Sequence, residues 1–228
     1  MQSFISEYGS QILTKSGQHI YISAIALFFG IIVAVPAGIA LTRANKLANP
    51  IINVVSALQT IPSLALLTLM LPIFGIGRTP AIIALFIYSL LPILRNTYLG
   101  MSNVSDEYRD VARGMGMSNI QSIFMVELPI ALPTIMAGIH LSAIYVISWA
   151  TLASYIGAGG LGDLIFSGLY NYQPELIFAG TIPVTIIALV VDFLLSKLER
   201  IMTPKAFLLQ EDKDEKQQAR EDAERRAR

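Results

Sequence analysis

The chain has 228 residues, 54% of them apolar and 14% charged, with a mean hydropathy of +0.60. Its 16 acids and 16 bases cancel, so no charge excess points to nucleic acid, and the lack of cysteine excludes disulfides, cysteine-held zinc and thiol catalysis. Seven acids and six bases crowd into residues 211–228; the nine acids and ten bases left are too few for a water-facing surface, and lipid is the expected solvent.

Residues 1–18 have neither the basic start nor the apolar core of a cleaved signal, and are expected to stay as an extracellular segment. A spanning helix needs about 20 mostly apolar residues. Ile20–Thr42 meets that requirement, then Pro50–Phe74, then a stretch from Thr79-Pro80 to about Leu99 that opens on a favourable first-turn proline. Leu128 to about Ala153 makes the fourth span and Pro174 or Glu175 to about Leu198 the fifth. Pro36, Pro62, Pro72, Pro92, Pro133 and Pro183 fall inside these spans, where neighbouring helices and hydroxyls satisfy the carbonyls that a proline frees. With the N-terminus outside, only Lys15 and Arg78 lie on the outer side, against Arg43, Lys46, Arg95, Arg109, Arg113, Lys197, Arg200, Lys205 and six tail bases inside. The positive-inside rule therefore predicts an outside N-terminus and a cytoplasmic C-terminus.

Between the third and fourth spans lies a polar stretch of about 28 residues, longer than a plain connector needs. Ser105 is placed to cap a helix whose first turn carries Asp106 and Glu107. Gly114 and Gly116 predict a break, and Ser118 or Asn119 a second cap, followed by an apolar stripe of Ile120, Ile123, Phe124 and Val126 expected to face the bundle. Within the stretch stand Asp110-Val111-Ala112, Gly116 four residues after the alanine, and Val126-x-Leu128-Pro129. This spacing resembles the cytoplasmic EAA loop of ABC-importer permeases, with Asp for Glu and Val for Ala at the first two positions. The resemblance, over roughly residues 19–198, implies that Arg109–Met117 docks in a cleft of an ATPase subunit and moves as that subunit closes on nucleotide. The residues it marks are Arg109, Asp110, Val111, Ala112, Arg113, Gly114, Gly116 and Met117, with Leu128 and Pro129 closing the motif.

In the fourth span His140 is an intramembrane ionisable group, hence a functional candidate, although a neutral histidine hydrogen-bonded across helices is the preferred reading. Tyr145, Trp149 and Tyr155 spread over the outer half of that span and its exit; aromatic faces suit a quaternary ammonium, and they also populate every membrane interface. These four residues are the candidate translocation path. The outer loop carries Gly157, Gly159, Gly160 and Gly162, which read G-x-G-x-x-G without the strand and βαβ unit that a dinucleotide site needs; a tight turn is expected instead. Asn103-Val104-Ser105 matches a glycosylation acceptor on the wrong side of the membrane. The stretch Trp149–Leu169, together with Leu90–Met101, is similar to permeases that import quaternary-ammonium osmoprotectants such as glycine betaine, carnitine and choline. That family implies two permease subunits, identical or paralogous, two ATPase subunits and an extracellular solute-binding protein.

Asp192 in the fifth span is expected to pair with a polar neighbour, and the tail places acids four residues before bases, as in Asp212–Lys216 and Glu221–Arg225, a pattern of solvated helix. No G-x-x-x-x-G-K-[ST] loop and no nucleophile–base or metal constellation is present, so neither ATP hydrolysis nor a cofactor is expected of this chain. The reading is an all-α, multi-pass membrane protein of five transmembrane helices with a cytoplasmic coupling loop. It divides as residues 1–18 outside, 19–198 the transmembrane domain and 199–228 a charged cytoplasmic tail. The same permease class with methionine, another amino acid or phosphonate as solute is the alternative. An ion-coupled secondary transporter stands further off, since Asp192 is the only acid deep in a span and no internal repeat is evident.

Overall fold

Residues 20–42 carry no charge, and neither the glycines of the polar turns before them nor Pro36 ends the first helix, so α1 extends over Gln2–Arg43. The computed structural model describes residues 2–202; residues 203–228 of the charged tail lie outside them. The helices that follow are α2 (Asn45–Gln59), α3 (Ser63–Phe74), α4 (Arg78–Ser102), α5 (Asp106–Gly114), α6 (Asn119–Ser122), α7 (Leu128–Ala150), α8 (Gly162–Tyr170) and α9 (Pro174–Met202). A π-helical turn, Ile123–Glu127, joins α6 to α7, and a 3₁₀ turn, Leu152–Ile156, follows α7. Among the described residues there is no strand.

Among the described residues four stretches are long and apolar enough to cross a membrane, on α1, α4, the α6–α7 unit and α9. The second expected span differs from the continuous helix expected over Pro50–Phe74. It is a pair, α2 and α3, bent by 92° at a short break. Pro62, expected inside a helix, is the N-cap of α3, with extended backbone (φ −56°, ψ 138°). The bend is closed by α4: Tyr88 donates its hydroxyl to the Ile61 carbonyl (2.5 Å), and Gln59 Nε2 donates to the Tyr88 carbonyl (2.7 Å). A carbonyl freed at membrane depth thus finds a partner on another helix, which makes the break tolerable.

Helix α4 is central, packed against α1, α7, α2 and α3. In lipid, helices associate through close packing of small residues, since no hydrophobic force distinguishes a neighbouring helix from a lipid tail. Gly38 of α1 faces Thr97 of α4, and Gly138 of α7 faces Pro92 and Asn96. A Cβ on Gly138 would stand 2.7 Å from the Pro92 carbonyl oxygen and 2.6 Å from Asn96 Cβ. One core cluster, around Leu67, Leu85, Tyr88 and Val146, fills the α3 end of the bundle; another, around Ile93, Met101, Ile135 and Met136, fills the end nearer α5. By contrast α9 turns Phe178, Ile182, Leu189, Phe193 and Leu194 outward, as a lipid-facing helix does.

Gly138→Val should overpack the α4–α7 contact and cost about 1–3 kcal/mol. The midpoint of thermal unfolding in detergent should fall accordingly; an unchanged midpoint would show that the two backbones do not approach this closely.

Candidate functional site

The loop predicted to carry the function folds as two short helices with a rigid corner. Ser105 caps α5, its Oγ accepting from the Glu107 N–H (3.3 Å). At the other end the Met117 N–H reaches the Ala112 carbonyl (3.0 Å) and the Gly116 N–H the Arg113 carbonyl (2.9 Å), with Gly116 at φ +79°. These are the crossed bonds of a Schellman stop, which needs a left-handed residue at Gly116's position. A Cβ there would meet nothing within 4 Å, so backbone conformation and not space demands the glycine. Ser118 then caps α6 through a reciprocal pair, Ser118 N–H to Gln121 Oε1 (2.8 Å) and Gln121 N–H to Ser118 Oγ (3.3 Å).

The corner is anchored to the bundle by a residue outside the predicted set. Glu127 is 1% exposed, and its carboxylate accepts from Arg43 Nη2 at the end of α1, from Arg109 Nε (3.2 Å) and from Ser122 Oγ (3.1 Å). Arg109 also donates to the Met101 carbonyl in the last turn of α4 and to Asp106, both at 2.8 Å. One carboxylate therefore ties α1, α4, α5 and the root of α7 together. The π turn is what carries Glu127. Pro129 has no N–H for the Met125 carbonyl and its ring crowds it; the backbone widens there, the Leu128 N–H bonding the Ile123 carbonyl five residues back.

This geometry divides the predicted loop residues. Ala112 is buried and Arg109 is 17% exposed, so both face the bundle. Asp110, Val111, Arg113, Gly114 and Gly116 stand on the free face, Asp110 and Arg113 paired at 3.4 Å, while Met117, Leu128 and Pro129 are half-buried. The stripe of Ile120, Ile123, Phe124 and Val126 does not face the bundle as a unit. Ile123 packs into the core, but Ile120 and Phe124 are exposed. The π turn shifts the helical phase, and an apolar patch of Tyr108, Val111, Met115, Ile120, Phe124 and Met125 is left open to solvent. The signal that could have revealed Glu127 is its isolation: between Gly114 and Gly162 it is the sole Asp, Glu, Lys or Arg.

The path candidates do not converge on one point. His140 on α7 sets Nε2 2.5 Å from Asp192 Oδ1 on α9, which supplies the polar partner expected for each. Tyr145 stacks on Trp149 (centroids 5.2 Å), and Trp149 also lies against Tyr88 (4.6 Å). Tyr155 sits apart, against Phe166 of α8 (4.3 Å). The glycine turn closes that end of the molecule. Gly157, Gly159 and Gly160 have φ of +72°, +83° and +90°, the Gly160 N–H bonds Gln18 Oε1 (3.1 Å), and a Cβ on Gly162 would stand 1.9 Å from the Thr151 carbonyl oxygen. Lys15 on α1 pairs with Asp163 at the start of α8. Lys15 and Arg43 are 28 residues apart on one helix, about 42 Å along its axis, more than the ~30 Å of bilayer hydrocarbon. The glycine turn and the Arg109–Pro129 loop therefore lie at opposite ends of the spans.

A bundle with lipid-facing spans, a proline-broken helix pair and a loop tied to the spans through Glu127 is a membrane-crossing domain, set in the cell membrane in several passes. Residues 26–206 match the family described as the binding-protein-dependent transport system inner membrane component, and the chain belongs to it. It is thus a permease subunit of an ABC importer, a partner of ATPase and solute-binding subunits and not the ATPase itself. It is 59% identical over 204 residues to the carnitine transport permease protein OpuCB of Listeria monocytogenes, covering 90% of this chain and 94% of that protein. It is 53% identical to the glycine betaine/carnitine/choline transport system permease protein OpuCB of Bacillus subtilis, with the same coverage of 90% and 94%. To the choline transport system permease protein OpuBB of Bacillus subtilis it is 52% identical, covering 88% and 93%. Its fold is similar to that of the inward-facing MetNI methionine ABC transporter, with a TM-score of 0.79 at 21% identity over 87% of this chain and 99% of that one.

Glu127→Ala should destabilise the chain by about 2–4 kcal/mol, toward the lower part of what a broken buried pair costs, because Arg43 is 40% exposed and can turn to water. Glu127→Gln, which keeps the volume and a hydrogen bond to Ser122, should cost less. Thermal midpoints of the purified complex check both; equal midpoints for wild type and Glu127→Ala would remove the cluster from the account of stability.

Proposed function

We propose that the chain imports quaternary-ammonium compatible solutes, glycine betaine, carnitine and choline, as one of two permease subunits energised by two ATPase subunits and fed by an extracellular binding protein. The observation that carries the solute assignment is the 52–59% identity, over about nine-tenths of the chain, to permeases whose names specify those three solutes. The 2-to-14 split of basic residues between the two sides supports an outside N-terminus, with the Arg109–Pro129 loop in the cytoplasm beside the ATPase. Residues 19–198 then form the transmembrane domain, flanked by residues 1–18 outside and a cytoplasmic tail at 199–228.

The coupling reading follows from the free face of the loop. Val111, Met115 and Phe124 offer an apolar contact, Asp110 and Arg113 a charged one, and Gly114 and Gly116 an opening where another backbone approaches. Displacement of this face reaches the spans through Arg109 and Glu127, because these side chains are fixed to α1 and α4 at the same time. His140, Tyr145 and Trp149 are the candidate lining of the path, the aromatic pair offering ring faces to a quaternary ammonium.

Gly116→Val forces a β-branched residue into the left-handed region, a strain of about 1–3 kcal/mol at the corner of the loop. In proteoliposomes holding the whole complex, ATP-driven uptake of labelled betaine should fall at least tenfold with assembly intact, and Gly116→Asn, which tolerates that conformation, should fall less. Full uptake by Gly116→Val would remove the loop from energy coupling. Uptake of methionine in place of betaine, carnitine and choline by the wild type would overturn the solute assignment.

A further inference from the structure

The end of the molecule away from the coupling loop carries a cavity of about 560 Å³, lined by α1, the 3₁₀ turn and α8. Its volume falls within the range of about 300–1,000 Å³ typical of small-molecule sites. Three aromatic side chains, Tyr155, Phe166 and Tyr170, share its wall with one opposite-charge pair, Lys15 and Asp163. The Tyr155 and Phe166 rings meet at a 52° tilt, and Tyr155 and Tyr170 are 50% and 68% exposed, so aromatic surface stays open to the cavity. A hydrogen bond with Tyr170 pushes the Tyr155 hydroxyl above the usual tyrosine range.

From this arrangement we infer that the cavity is an entry site for zwitterionic quaternary-ammonium solutes, in which the solute inserts between Lys15 and Asp163. Its carboxylate replaces Asp163 as the partner of Lys15. Its trimethylammonium group, which has no N–H to donate, takes Asp163 as counter-ion and lies against the open aromatic faces. Lys15 and Asp163 are 28% and 29% exposed, so their pairing is reached from water and exchanges for another pair of charges at little cost. The inference rests on the solute class proposed above. It adds a site on the permease itself, distinct from the solute-binding protein.

The charge pair makes the test directional. The complex of permease and ATPase, in nanodiscs and without binding protein, is titrated with betaine, carnitine or choline while saturation transfer to the solute methyl protons is recorded by NMR. All three should give transfer, and Phe166→Ala should weaken all three about 3- to 10-fold. Lys15→Gln should weaken betaine and carnitine about tenfold and strengthen choline, which has no carboxylate and gains a free Asp163. Asp163→Asn should weaken choline most, since Asp163 is its only charge partner there, and weaken the two zwitterions less, since they keep Lys15.

Affinities left unchanged by Phe166→Ala, or a Lys15→Gln variant that moves all three solutes alike, would overturn the inference. So would variants that alter only the affinity for the binding protein, which would make the cavity a protein contact. Uptake assays on the same complex separate the two levels. Normal uptake without transfer removes this site and leaves the solute assignment standing, whereas no uptake of any of the three removes both.

Discussion

The structure depends on one carboxylate. A buried, unpaired acid is among the costliest features a fold can hold, and Glu127 avoids that cost through two guanidinium groups and a hydroxyl. Each partner comes from a different part of the chain: Arg43 from the end of the first span, Arg109 from the loop helix, Ser122 from the turn before the π segment. A shift of any one of these elements alone would cost Glu127 one of its three partners. The loop therefore acts as an extension of the spans and not as a tether hung between them. The π turn, a local irregularity forced by Pro129, is what points Glu127 inward.

The opposite requirement governs the bundle. Where the loop needs fixed polar contacts, the spans use small residues to bring backbones close and prolines to end or bend helices. The break at Pro62 illustrates the trade: a bend exposes a carbonyl, and Tyr88 returns a hydroxyl to it. Tyr88 also lies against Trp149, so the bend, the central helix and the aromatic pair are joined through one side chain.

Much of this was legible beforehand because hydropathy over about 20 residues is a strong signal, and four of the five expected spans are continuous helices. The caps at Ser105 and Ser118 and the stop at Gly116 were also readable, since each depends on a local backbone rule. What escaped was whatever depends on distant pairing. Pro62 reads as any intramembrane proline until Tyr88 is seen beside it. The stripe from Ile120 to Val126 reads as a regular helix face, and a single π turn is enough to rotate Ile120 and Phe124 outward. Arg43 reads as an anchor at the membrane surface, and only folding brings it to a carboxylate 84 residues away. The four path candidates were chosen by type on consecutive turns, and no rule of spacing could reveal that Tyr155 joins α8 instead.

The contact between His140 and Asp192 bears on where α9 sits along the membrane normal. Between Ile186 and Leu194 the outward face of α9 is apolar, and apolar packing by itself does little to fix a helix's height in lipid. A slip of one turn, about 5.4 Å, would leave most of its packing chemically unchanged but carry Asp192 away from its only polar contact on α7. An acid stranded at that depth costs about 2.5–3.5 kcal/mol on insertion scales. The pair thus serves as a depth gauge, giving a helix that greasy packing alone would leave indifferent to height one preferred level in the bilayer.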